Sequence, residues 1–120
     1  MANTALWFLQ GLLALAFTAT GGAKVTLARE RLATRMHWAA SWPRGRIKAL
    51  GLAELAGAAG LLVPGLLGLP GWLTPLAAAC LAVLMVGAVQ THRRLGEGFA
   101  PAAVTLGLCL LVTLGRLPAA

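Results

Sequence analysis

Four stretches of apolar residues divide the chain, and each is long enough to cross a lipid bilayer as a helix. They run from about residue 5 to 28, 47 to 69, 72 to 92 and 99 to 117. A transmembrane helix needs about 17–25 predominantly apolar residues. Open strands cannot cross lipid because their backbone groups would lack partners, and the stretches do not alternate as barrel strands do. The pattern therefore predicts four transmembrane helices.

Short connections predict how these helices are arranged. Pro64-Gly65 and Pro70-Gly71 indicate a tight turn between the second and third stretches, and residues 95–101 join the third to the fourth. Helices joined by short connections pack as antiparallel neighbours. The predicted fold is all-α, a four-transmembrane-helix bundle forming one integral membrane domain over residues 1–120. We expect the first stretch to be retained, because no Lys or Arg precedes it and it is too long for a signal peptide.

The composition supports a membrane environment. Of the 120 residues, 59% are hydrophobic and 11% are charged, whereas soluble domains carry about 25% charged residues. This balance excludes a soluble enzyme and a disordered chain. The net charge of +7 does not indicate nucleic acid, because the basic residues lie between apolar stretches and not in a stripe on a soluble surface. The expected surroundings are the lipid bilayer of the cell membrane.

The basic residues also predict the orientation of the chain. Nine of the ten Lys and Arg residues belong to two connections, and Arg116 alone belongs to the other end. The nine are Lys24, Arg29, Arg31, Arg35, Arg44, Arg46, Lys48, Arg93 and Arg94. Because positive loops stay in the cytoplasm, we expect both basic loops there and both termini outside.

The connection between the first two stretches, residues 29–45, has a pattern of its own. Apolar residues recur at helical spacing there, and Trp38 and Trp42 are suited to the headgroup level of a bilayer. This indicates a short interfacial helix or an extension of the first span. The alternative is a solvated cationic loop with aromatic anchors.

Glu54 is the clearest candidate for chemistry. It lies inside the second stretch, where an ionised side chain costs about 2.5–3.5 kcal/mol on insertion scales. Small residues at helical spacing from it, Gly51, Gly57 and Ala58, let another helix approach. We therefore expect Glu54 to face the interior of the bundle, where it needs a partner or a function.

Lys24 and His92 are the candidate partners of Glu54. Gln10, Phe17, Thr20, Gly21 and Lys24 share one face of the first stretch, and this face carries Lys24 to the depth of Glu54. The alternative for Lys24 is that it extends to the headgroups. His92 ends the third stretch at the same side of the membrane, and histidine titrates near neutral pH. Gln90 and His92 are expected to point to different sides of their helix, so we do not expect both to line one pocket.

Other chemistry has little support in the sequence. Cys80 and Cys109 are isolated in apolar stretches, and no C-x-x-C motif is present. No cluster has the spacing of a metal site, so we predict no metal. A Lys-Glu-His network could also serve only to hold helices together, although interhelical hydrogen bonds contribute only about 0.6 kcal/mol each.

Several motifs together resemble the DoxX-like family of small four-helix membrane proteins. They are Gly21-Gly22-Ala23-Lys24, the segment Gly51 to Gly57, Gly60 to Pro64, and Ala88 to His92. The resemblance covers nearly the whole chain and implies the four-helix fold, with Lys24, Glu54 and His92 as the family's polar positions. It also implies that function varies within the family. One relative is the membrane subunit of a thiosulfate:quinone oxidoreductase, others resemble maturation factors for redox enzymes, and an animal relative assists receptor assembly.

Three functions fit this sequence. The first is a membrane enzyme or oxidoreductase subunit that acts on a quinone- or isoprenoid-like molecule. Glu54, Lys24 and His92 would form a buried polar pocket in the cytoplasmic leaflet and act as its acid–base residues. In that case the residues expected to contact the ligand are Phe17, Thr20, Gly21, Gly57 and Trp38, and a quinone is the candidate cofactor. The second is an assembly or scaffold partner for another membrane protein, or a homo-oligomer. The third is a small proton-coupled transporter.

Overall fold

The computed structural model describes residues 2–27, 43–96 and 98–117, and these residues form four helices. They are α1 (Ala2–Thr26), α2 (Arg44–Leu67), α3 (Leu73–Arg94) and α4 (Ala100–Gly115). The all-α four-helix fold predicted from the sequence is confirmed. Residues 29–42 of the predicted interfacial segment, which include Trp38 and Trp42, lie outside the described residues.

Three of the helices are long and apolar enough to cross a membrane. The apolar ranges of α1, α2 and α3 are 24, 24 and 22 residues long, and their mean hydropathies are 1.4, 1.7 and 1.9. α4 has 16 residues and spans about 24 Å at 1.5 Å per residue. This helix is shorter than the predicted stretch 99–117: it starts at Ala100 and ends before Arg116.

The outer surface of the bundle is apolar. Phe8, Leu15, Leu66 and Val83 are each 70% exposed. Such side chains would be unfavourable in water but are favourable against acyl chains. The long apolar helices and this surface describe a multi-pass membrane protein.

Glycines end the helices where the chain reverses. Gly68 closes α2 with a φ of 69°, and Gly96 follows α3 with a φ of 71°. Both angles lie in the left-handed region, which glycine adopts without steric cost. These short reversals place α2 against α3 and α3 against α4. The bundle therefore has a turn end, which contains residues 68–72, and a basic end, where α1 ends at Thr26, α2 begins at Arg44 and α3 ends at Arg94.

Glycine also sets the contact between α1 and α2. A Cβ added to Gly21 would lie 2.8 Å from the Gly51 carbonyl oxygen, and one added to Gly51 would lie 2.8 Å from the Gly21 oxygen. The two backbones therefore touch directly, as small residues allow in membrane helices. This contact brings the side chains one turn away on each helix within reach of one another.

The centre of the bundle is apolar and well buried. Phe17, Leu61, Leu81, Cys109 and Val112 are each at most 3% exposed and belong to one cluster with members from all four helices. This layer separates the two ends of the bundle, so the polar groups at each end form separate networks.

Arg116 organises the polar network near the turn end. Its Nε donates to Gln10 Oε1 at 2.6 Å, its Nη1 donates to Asn3 Oδ1 at 2.6 Å, and its guanidinium lies 5.4 Å from the Trp7 ring centroid. Gln10 Nε2 in turn donates to the Leu61 carbonyl oxygen. Arg116, which lies outside the two basic connections of the sequence, thus joins the end of α4 to α1.

We expect Gly21→Ala to lower the free energy of unfolding by about 1–3 kcal/mol, because the new methyl group would collide with backbone on α2. Gly22→Ala is the matched control, since a Cβ there meets nothing within 4 Å. It should leave stability unchanged or raise it by up to about 1 kcal/mol. Thermal unfolding of the purified variants in one detergent measures both, and equal effects would contradict the close backbone contact.

Candidate functional site

A buried ion pair joins α1 to α2 near the basic end. Lys24 Nζ lies 2.6 Å from Glu54 Oε1, and the two residues are 5% and 2% exposed. Thr20 Oγ1 donates to the other carboxylate oxygen, Oε2, at 3.2 Å. Both carboxylate oxygens therefore have donors. Pairing is the arrangement that makes buried charges tolerable in apolar surroundings.

The antiparallel arrangement of α1 and α2 makes this pairing favourable. Helical side chains lean toward the N-terminus of their own helix. For Lys24 that direction leads away from the basic end and into the bundle, whereas for Glu54 it leads toward the basic end. The two side chains thus lean toward each other. Lys24 pairs inside the bundle instead of extending to the headgroups.

A cavity of about 880 Å³ lies beside the ion pair. Its polar wall includes Thr20, Lys24 and Glu54, and its apolar wall includes Phe17 and Met85. All four helices contribute to the lining. The volume lies within the 300–1,000 Å³ typical of small-molecule sites. We refer to it as the basic-end cavity.

Basic and polar side chains line the rest of the basic-end cavity. Arg46 comes from α2, and Gln90, His92 and Arg94 come from the last turns of α3. The structure thus brings Lys24, Glu54 and His92 to one cavity. Gln90 and His92 both line the cavity, so the prediction that they would not share one pocket was wrong.

The five residues expected to contact a ligand have different positions. Phe17 and Thr20 line the basic-end cavity. Gly21 lies in the helix contact with Gly51, and a Cβ on Gly57 would collide with Leu81. These two glycines serve packing in this structure. Trp38 lies outside the described residues.

Arg46 and Arg94 line the cavity, and the sequence analysis did not single them out. One signal was present: Arg46, Leu50 and Glu54 are spaced four residues apart and so share one face of α2. All three line the cavity. Arg94 stands in the last turn of α3 among other basic residues, so the sequence pattern does not distinguish it from Arg93.

The cysteines lie away from this site. Cys80 is exposed and Cys109 is buried in the central cluster, and both are free thiols. Within residues 2–27, 43–96 and 98–117, no three His, Cys, Asp or Glu side chains come together as a metal site.

Breaking the ion pair should be more costly than removing both partners. Lys24→Met should lower the free energy of unfolding by about 3–5 kcal/mol, because it leaves a buried carboxylate without its cation. Lys24→Met combined with Glu54→Leu should lose less than Lys24→Met alone. Lys48→Met is the control, because Lys48 is exposed on α2. Thermal unfolding of these three variants and the unmodified protein checks this, and a larger loss in the double variant than in Lys24→Met alone would contradict a coupled pair.

The comparisons with known proteins agree with this fold. The DoxX-like family matches residues 8–115, a range that includes every described residue of the basic-end cavity. No match was found among curated proteins, and none among solved structures. Since the match covers most of the sequence, the chain belongs to the DoxX-like family.

Proposed function

We propose that this protein binds a lipophilic small molecule in the basic-end cavity and acts on it by acid–base chemistry, as a membrane enzyme or an oxidoreductase subunit. The observation that supports this most is the position of the Lys24–Glu54 pair. The pair forms part of the wall of a cavity large enough for a ligand. An ion pair that only held helices together would not need a cavity beside it.

Each polar residue has a role in this proposal. Glu54 is the acid or base, because its carboxylate is buried at the cavity wall. Lys24 balances the charge of Glu54 and stabilises negative charge that develops on the ligand. His92 lies in the last turn of α3, where it can exchange protons with water at the membrane surface.

A quinone fits the chemistry of this cavity. Its carbonyl oxygens need hydrogen-bond donors, and the Lys24 ammonium on the cavity wall carries three N–H groups, whereas the single O–H of Thr20 is donated to Glu54. Its ring and chain need apolar contacts, which Phe17, Leu84 and Met85 offer. When bound, a quinone would supply two-electron redox chemistry. The residues of this chain would bind it, orient it and provide a proton near its oxygens.

A second candidate function is assembly with another membrane protein or a second copy. A shallow apolar hollow on the outer face of α2 and α3 is lined by small residues such as Ala53, Ala56, Gly60 and Ala77. Small residues let another membrane helix approach closely. A stable partner that co-purifies with the protein would favour assembly.

Filling the cavity should abolish ligand binding. We expect native mass spectrometry of the protein in mild detergent to detect a bound lipophilic molecule. Ala88→Trp, which places an indole in the cavity lining, should lose it. Ala19→Trp is the control, because Ala19 is exposed on α1 and does not line the cavity. Loss from both variants, or from neither, would contradict binding in this cavity.

The role of Glu54 can be measured once that molecule is identified. Glu54→Gln keeps the shape of the side chain but removes the acid–base group. It should retain the ligand and lower kcat by about 10²–10⁴. Turnover equal to that of the unmodified protein would contradict the enzymatic proposal while leaving the binding site intact.

The proposed orientation places the basic end in the cytoplasm and both termini outside. Leu69 and Leu95 lie at opposite ends and are 45% and 47% exposed, so they form a matched pair. In a protein with Cys80→Ala and Cys109→Ala, Leu69→Cys should react with a membrane-impermeant thiol reagent in intact cells. Leu95→Cys should react only after permeabilisation. The reverse pattern would invert the proposed topology.

A further inference from the structure

We propose that Oε2 of Glu54 and the hydroxyl of Thr20 form the proton-binding site of the basic-end cavity. When Glu54 is ionised, Thr20 donates to Oε2. When Glu54 is protonated, Oε2 donates to Thr20, and the hydroxyl turns to the carbonyl oxygen of Phe17. This inference rests on the proposed function, because it names the atom that holds the proton in acid–base chemistry. Thr20 acts through Glu54 and is therefore a positioning residue.

The hydroxyl of Thr20 is oriented differently from those of four other helical threonines. Each of the four donates to the carbonyl oxygen four residues earlier on its own helix, at 2.7–2.9 Å; they are Thr26, Thr91, Thr105 and Thr113. The Oγ1 atom of Thr20 instead lies 3.2 Å from Glu54 Oε2 and 3.5 Å from the carbonyl oxygen of Phe17, three residues earlier. The carboxylate thus replaces the backbone acceptor that a helical threonine ordinarily uses.

The two partners of Glu54 differ in what they offer to a protonated carboxyl group. The ammonium of Lys24 lies 2.6 Å from Oε1 and has N–H donors but no acceptor, whereas a hydroxyl has one O–H donor and two lone pairs. A proton on Oε1 would therefore meet another N–H group. A proton on Oε2 meets the oxygen of Thr20, which can accept it, so the proton belongs on Oε2.

A second acceptor beside Thr20 lets its hydroxyl serve both states of Glu54. The single O–H donates to one acceptor at a time, and the carbonyl oxygen of Phe17 is also within reach. When Oε2 takes a proton from water, one O–H bond forms there, and the Thr20 hydroxyl keeps its own proton and only rotates about the Cβ–Oγ1 bond. Each polar group keeps a partner, which matters because an unpartnered O–H is unfavourable in apolar surroundings.

Other titratable side chains line the cavity but do not supply this acceptor. They are Arg46 from α2, and His92 and Arg94 from α3. The described lining from α4 is uncharged. The hydrogen bonds of Glu54 go to Lys24 and Thr20. Because the charges of the three side chains influence how readily Glu54 takes up a proton, the test leaves them unchanged in every variant.

Infrared difference spectroscopy of the full chain in phosphatidylcholine nanodiscs tests this site. As the pH is lowered, the carbonyl stretch of protonated Glu54 is the band that Glu54→Gln lacks. Thr20→Val removes the acceptor but keeps a branched side chain of similar size, so we expect this band to move to higher wavenumber. Thr20→Ser keeps the hydroxyl and should leave the band where the unmodified protein has it.

Thr105→Val is the matched control. Thr105 also lines the cavity, but its hydroxyl donates to the carbonyl oxygen of Pro101 on its own helix at 2.8 Å. The same substitution there should leave the Glu54 band in place. An unshifted band in Thr20→Val would overturn the proposal, and so would an equal shift in both valine variants. Thermal unfolding checks that both variants are folded.

The rotation of the hydroxyl can also be followed in the unmodified protein. Phenylalanine with an isotope-labelled carbonyl carbon marks three positions, Phe8, Phe17 and Phe99. When Glu54 is protonated, we expect the amide band of one labelled carbonyl to shift to lower wavenumber, because Phe17 gains the hydrogen bond of Thr20. Phe8 and Phe99 are exposed and should not respond. The absence of any shift would overturn the proposal even if Thr20→Val does not fold.

The outcomes separate this inference from the proposed function. If a Glu54 acid band forms but responds to neither Thr20 variant, and no labelled carbonyl shifts, the proton-binding site is overturned while Glu54 remains an acid or base. If no Glu54 acid band forms at any pH at which the protein stays folded, Glu54 takes up no proton. Both the inference and the acid–base role of Glu54 then fail.

Discussion

The ion pair between Lys24 and Glu54 is the constraint on which the arrangement of α1 and α2 depends. Neither charge is stable alone in apolar surroundings, so each must be matched by a group from another helix. Matching them fixes the rotation of both helices about their axes and the depth at which they meet. The contact between Gly21 and Gly51 is the geometric condition for this match, because bulkier residues would hold the helices apart.

The polar chemistry of the molecule follows from this constraint. Thr20 lies one turn from Lys24 on α1, which explains why its hydroxyl reaches the second oxygen of Glu54. The cavity lies beside the pair and is lined by residues of all four helices. The Lys24–Glu54 pair therefore packs α1 against α2 and, in the proposed function, also provides the chemistry.

Much of the fold could be predicted from the sequence, because lipid permits few backbone structures. The lengths of the apolar stretches, the Pro-Gly turns and the small-residue face of α2 correctly indicated four helices and the burial of Glu54. The pairing of Lys24 followed from helical spacing. A pocket beside Lys24, Glu54 and His92 was expected, but its size and full lining could not be predicted, since an empty volume depends on how far α3 and α4 stand from α1. For the same reason the sequence did not separate Arg94, which lines the cavity, from Arg93, which does not.

The network around Arg116 has a consequence for how the bundle can move. Arg116 ties the C-terminal end of α4 to Asn3 and Gln10 on α1, whereas the first turns of α4 border the cavity through Ala102 and Thr105. The two helices are therefore fastened at one end and separated by open volume at the other. If α1 and α4 separate, the contacts of Arg116 hold them together at the turn end, so the gap would widen toward the basic end. Such an opening would connect the cavity to the acyl chains around the bundle.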